Sequence, residues 1–123
     1  MQTDDLEESV KCFSKAIELR PNWAEAYYNR GVAYDRLAAT PVRGVFDASS
    51  EHSRKCWQSA IRDLTKAISL KPDMAPAYEA RGWVYKGIDE TKKALKDFQR
   101  YLDFDAESPR AQELQRVVKS MQG

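Results

Sequence analysis

An all-α chain of antiparallel helix pairs is what this sequence predicts. Three observations carry that prediction: a segment recurs at fixed offsets, apolar residues recur three and four positions apart, and helix breakers are few. Glycine and proline number only 5 each in 123 residues, which speaks against a disordered or collagen-like chain. That length is enough for one domain with a modest core.

The repeat comes first. Ala16-Ile17-Glu18-Leu19-Arg20-Pro21 returns as Ala67-Ile68-Ser69-Leu70-Lys71-Pro72, fifty-one positions on. The same offset relates Phe13 to Leu64, Tyr27 to Tyr78, Arg30-Gly31 to Arg81-Gly82 and Tyr34 to Tyr85. A further copy follows thirty-four positions on, from Ala60 to Ala94, Leu64 to Phe98 and Ala67 to Tyr101. The larger offset is therefore one period plus a 17-residue insertion, which falls between Tyr34 and Trp57.

Each element then follows in order. Leu6, Val10, Phe13 and Ile17 form one helical stripe, a half repeat over 4–20. Tyr27, Gly31, Tyr34 and Ala38 form the next, and Trp57, Ile61, Leu64 and Ile68 its partner, within a repeat over 23–71 interrupted near 38–56. Tyr78, Gly82 and Tyr85 open the repeat over 74–105, which closes on Ala94, Phe98 and Tyr101. Asn22 and Asp73 are placed to cap helices, and Pro21 and Pro72 to stop the preceding ones. Ser108 and Pro109 start a capping helix over 109–121, with Ala111, Leu114, Val118 and Met121 inward and Arg110, Gln112, Glu113, Gln115, Arg116 and Lys119 outward. Within the insertion, Thr40-Pro41, Gly44 and Asp47 read as a loop. Val42, Val45 and Phe46 either tuck against the helices or form a contact lip, and the next helix starts near Ser50.

Composition excludes several classes of function. Twenty basic residues face 19 acidic ones, a formal charge of +1, so no field draws in nucleic acid or an anionic membrane. Two distant cysteines, Cys12 and Cys56, fit free thiols in a reducing compartment. No stretch approaches the ~20 apolar residues of a membrane span. The polar start Met1-Gln2-Thr3-Asp4-Asp5 is the reverse of a secretory signal. A cytoplasmic protein is the expectation for the chain as written. His52 and Cys56 share a helix face, but two ligands do not make a zinc site. No third group orients them for nucleophilic catalysis. Gly31, Gly44, Gly82 and Gly87 are isolated rather than gathered in a phosphate-binding loop. No enzyme, cofactor or metal is expected.

Ala26-Tyr27-Tyr28-Asn29-Arg30-Gly31-Val32-Ala33-Tyr34 and Ala77-Tyr78-Glu79-Ala80-Arg81-Gly82-Trp83-Val84-Tyr85 resemble first helices of tetratricopeptide repeats. Ala60, Leu64, Ala67 and Pro72, then Ala94, Phe98 and Tyr101, resemble second helices. Ser9, Tyr101 and Ala106 depart from the pattern, in the outer repeats. The resemblance covers nearly the whole chain except the insertion. It implies a right-handed superhelical solenoid of about two full repeats, an N-terminal half repeat and a C-terminal capping helix. It also implies a scaffold or adaptor that binds a peptide or partner protein in a concave groove lined by first helices.

Carried onto this chain, the family's groove positions are Glu25, Tyr28, Asn29, Val32 and Arg36, then Glu79, Ala80, Trp83 and Lys86. Trp83 lies off the Tyr-Gly-Tyr stripe and is a candidate anchor unless neighbours cover it. With two such helices the contact should be at or below the ~1,200 Å² of transient complexes. A clamp for chaperone C-terminal tails is not expected. Only Asn29 fits it, while Tyr28 or Val32, Pro76 and Ala80 stand where cations belong. The helix Leu6 to Leu19 lacks a partner for part of its apolar face. A severed array, a homodimer and a covering partner are all open, which makes self-association the alternative function.

Overall fold

The computed structural model describes residues 3–41, 44, 46–47 and 49–123, with side chains from residue 5 onward. Val42 and Val45, two of the loop's apolar residues, lie outside them. Among the described residues six helices follow one another: α1 (Thr3–Leu19), α2 (Ala24–Ala38), α3 (Glu51–Leu70), α4 (Ala75–Gly87), α5 (Thr91–Phe104) and α6 (Pro109–Gln122). No strand occurs among the described residues. The helices group into two compact units, 1–72 and 73–123.

In the first unit α2 packs against α1 on one side and α3 on the other. The α2–α3 contact is close because its centre is small: Ala60 and Ala67 are wholly buried beside Leu64, and Gly31 sits over them. A Cβ at Gly31 would lie 2.9 Å from Leu64 Cγ and 3.3 Å from the Ala60 carbonyl oxygen. The insertion ends where α3 begins, with the Ser50 hydroxyl accepting from the Ser53 amide as N-cap. Side chains at that start close the end of α2. The Ser53 hydroxyl donates to the Ala38 carbonyl at 2.7 Å, and His52 Nε2 lies 3.0 Å from the Leu37 carbonyl. The next helix thus adds a donor at the Ala38 carbonyl, one of the last carbonyls of α2 with no partner inside that helix. The Leu37 carbonyl also accepts from the Thr40 amide at 3.1 Å.

In the second unit α5 packs against α4 and α6. Ala94, Phe98 and Tyr101 of α5 meet Ala111, Leu114 and Val118 of α6 in one buried cluster. Ser108 caps α6 by accepting from the Ala111 amide, and its own hydroxyl donates to Asp105. Asp105 also receives the Tyr101 hydroxyl. These two donors hold the Asp105 carboxyl below the usual carboxylate range.

Two capping expectations fail. Trp23 and Met74 occupy the N-cap positions of α2 and α4, and neither makes a side-chain capping bond. The first turns instead begin through backbone bonds, Ala26 N to Trp23 O and Ala77 N to Met74 O. Both helices therefore start one residue later than Asn22 and Asp73 require for a cap.

Candidate functional site

Each unit has its own cleft beside its first helix. In the first unit, Tyr28, Asn29, Val32 and Arg36 of α2 line a cleft of about 310 Å³ with Leu6, Ser9 and Phe13 of α1. The spacing 28, 29, 32, 36 is one helix face, and it lies off the Gly31–Tyr34 face that packs on α3. The walls are apolar and aromatic, with Asn29 and Arg36 exposed at the edge. Glu25, also drawn from that face by sequence, does not line the cleft. It pairs with Lys71 at 3.3 Å, and a backbone hydrogen bond, then Lys71, hold its carboxyl below the usual range.

In the second unit Trp83 and Lys86 of α4 line another cleft of about 310 Å³ with Arg116, Val117, Ser120 and Met121 of α6. Trp83 is half-buried and does not project freely. Its ring stands edge-on to Phe98 at 5.0 Å between centroids, and its indole N–H donates to Glu79 at 2.9 Å. Glu79 is consequently no rim charge. It is turned inward at 9% exposure and pairs with Arg110 of α6 as well as Trp83. A carboxylate one turn from Trp83, with a cation in reach on α6, is more favourable paired than solvated alone beside an aromatic wall. Ala80 is half-buried and lines neither cleft. Sequence reasoning missed Arg116, Val117 and Met121 as companions of Trp83. Arg116 was placed on the outer side of the last helix, where it does stay exposed.

Sequence reasoning also missed a repeated ion pair beneath the tyrosines. Arg30 grips both oxygens of Asp63 at 2.7 Å, and Arg81 grips those of Asp97 at 2.8 and 2.7 Å. Asp63 and Asp97 are buried, and each arginine lies within 6 Å of two tyrosine ring centroids or one. Hydrogen bonds to the aspartates raise both guanidinium pKa values, so the two arginines stay charged. The signal was available: Arg30 recurs as Arg81 at the longer offset, and Asp63 as Asp97 at the shorter.

Among the described residues no group of three or more histidine, cysteine or acidic side chains gathers as a metal site. Burial pushes the Cys56 thiol pKa up, away from the thiolate a nucleophile needs. Among the described residues no helix is long and apolar enough to cross a membrane.

Helix hairpins in each unit, each with a shallow side cleft, define a helical-repeat protein. The chain is a tetratricopeptide-repeat protein. A family profile described as TPR repeat matches residues 1–37. Tetratricopeptide repeat protein 13 of Homo sapiens is 28% identical over 125 residues, spanning 84% of this chain and 14% of its own length. The Arabidopsis OM64 TPR domain superposes with a TM-score of 0.76 at 23% identity, over 95% of this chain and 83% of that one. The first TPR of Spaghetti (RPAP3), bound to the HSP90 peptide SRMEEVD, gives 0.74 at 22% identity, over 98% and 82%. At those identities the structures show a shared fold. The chain spans about a fifth or less of the length of the curated relatives it matches.

Proposed function

We propose that this chain is a non-enzymatic interaction module that takes a peptide, or a segment of a partner protein, on the clefts beside α2 and α4. The observation that supports it most is the lining of the first cleft. Tyr28, Val32, Leu6 and Phe13 give apolar contact while Asn29 and Arg36 supply hydrogen bonds. Such a surface suits a peptide with apolar side chains and a polar backbone. The Spaghetti domain holds an HSP90 peptide. Here Tyr28, Val32, Pro76 and Ala80 leave no clamp for a terminal carboxylate, so the ligand in our reading is an internal, amphipathic segment.

Panning a random peptide library on the whole chain tests this. Arg36→Glu and Lys86→Glu alter exposed edges without touching a core, and one or both should weaken enriched peptides. Trp83→Ala should cost about 2 kcal/mol for peptides using the second cleft. Affinities unmoved by all three changes would refute the reading. A second reading, self-association through α1, draws support from one observation. Leu19 is 71% exposed, and Val10, Phe13 and Ile17 are only half-buried. Light scattering that gives a monomer at high concentration would exclude it.

A further inference from the structure

A larger cleft, about 570 Å³, lies elsewhere on the second unit, sharing no residue with the one beside Trp83. Its floor is the Arg81–Asp97 pair between the rings of Tyr78 and Tyr85. Its rim is cationic. Lys93 stands 5.6 Å from the Tyr85 ring centroid, Arg100 stands 5.8 Å from that of Tyr78, and Lys96 lies between them on α5. All three are exposed. The lining holds four cationic against two acidic side chains. Asp97 is bound to Arg81 on both oxygens, and Asp103 makes an exposed pair with Arg100 at 3.7 Å, so Lys93 and Lys96 are the surplus charge. The chain as a whole is nearly neutral at +1, so the positive charge is local to this cleft.

We infer that this α4–α5 cleft is a second binding site, for an extended acidic segment of a partner protein. The Tyr85 face holds Lys93 in place, and the Phe104 and Tyr78 rings hold Arg100 at 4.9 and 5.8 Å. Lys93 and Lys96 donate to an incoming carboxylate directly, and Arg100 does so by exchanging its long, exposed contact with Asp103. Spacing favours an extended segment. Lys96 and Arg100 are four residues apart, about 6 Å along a helix. Alternate side chains of an extended strand are about 6.8 Å apart. Acidic residues at every second position therefore meet successive cations, while the intervening backbone lies over Tyr78 and Tyr85.

The test titrates the isotope-labelled whole chain with the capped peptide Glu-Ser-Glu-Ser-Glu and follows backbone amide shifts. Shifts should concentrate on residues 93–103 and the helix carrying Tyr85. Affinity should fall as salt rises from about 50 to about 300 mM. The exposed triple variant Lys93→Gln, Lys96→Gln, Arg100→Gln should bind at least about tenfold more weakly with an unchanged circular dichroism spectrum. Arg36→Glu should leave the titration unaltered, which separates this site from the peptide clefts above. Any of four results would overturn the inference: shifts centred elsewhere, undiminished binding by the triple variant, the same map from free glutamate at equal carboxylate concentration, or tighter binding of a single-stranded oligonucleotide to these residues.

Discussion

Alanine at Gly82 probes the tightest approach in the second unit. The added Cβ would stand 2.5 Å from Phe98 Cε1 and 2.7 Å from Cδ1, against about 3.5–4.0 Å for comfortable carbon contacts. The ring would have to retreat by about 1 Å, but Phe98 is fully buried and Trp83 stands against it. Overpacking of this kind costs about 1–3 kcal/mol, and a rigid aromatic ring places the cost near the top of that range. Removing a helical glycine returns about 1 kcal/mol, so the net loss is about 2 kcal/mol. For a chain of this length that is a drop in Tm of about 8 °C. Thermal and urea unfolding followed by far-ultraviolet circular dichroism measure it. Gly31→Ala is the milder comparison: its Cβ would lie 2.9 Å from Leu64 Cγ and 3.3 Å from the Ala60 carbonyl oxygen, wider gaps than at Gly82. After the gain from removing a helical glycine, its loss should stay under about 1 kcal/mol. Phe98→Leu in the Gly82→Ala background should recover part of the deficit. A Gly82→Ala chain as stable as the original, or less damaged than Gly31→Ala, would refute the close-approach argument.

Three further outcomes follow from named contacts. Asp97→Ala should cost about 3 kcal/mol by removing the carboxylate that faces the part-buried Arg81 guanidinium, whereas replacing both residues by apolar ones should cost much less; chemical denaturation of the single and double variants compares them. Burial raises the Asp35 carboxyl pKa, with the Trp57 indole bond and Arg36 opposing only in part. A raised carboxyl pKa favours the fold at low pH and weighs against it once the folded-state group ionises. Asp35→Asn should therefore stabilise at pH 7, with the gain fading as pH falls through the raised folded-state pKa and gone below the ordinary aspartate pKa of about 4, as denaturation midpoints across pH would show. Ser53→Ala should cost about 1–2 kcal/mol, since it strips a buried hydroxyl from the Ala38 carbonyl; the unfolding midpoint reads this directly.

What could be read ahead of the structure depended on whether a residue's role was local. Periodic packing is local, so the stripes that carry Gly31, Leu64, Gly82 and Phe98 could be read from spacing, and the start of α6 from Ser108 as cap and Pro109 as first residue. Which glycine meets which side chain could not. The Arg81–Asp97 pair is sixteen residues apart and only a comparison of two offsets could have joined its ends. Glu79 shows a different gap. Its helix position suggests a rim, but its conformation is decided by Trp83 and by Arg110 on another helix. The caps expected at Asn22 and Asp73 failed because residue type suggests a cap without fixing the register in which the helix begins.

The closure of α2 by Ser53 and His52 has a practical consequence for anyone wishing to label or re-engineer this molecule. Both margins of the inserted segment are stitched to helix ends, so lengthening its middle changes only loop entropy, which grows slowly with chain length. Gly44 has a φ of +78° and open space where a side chain would point. A peptide tag or a small reporter domain spliced beside it should leave both helices seated, giving a handle far in sequence from α4, α5 and α6.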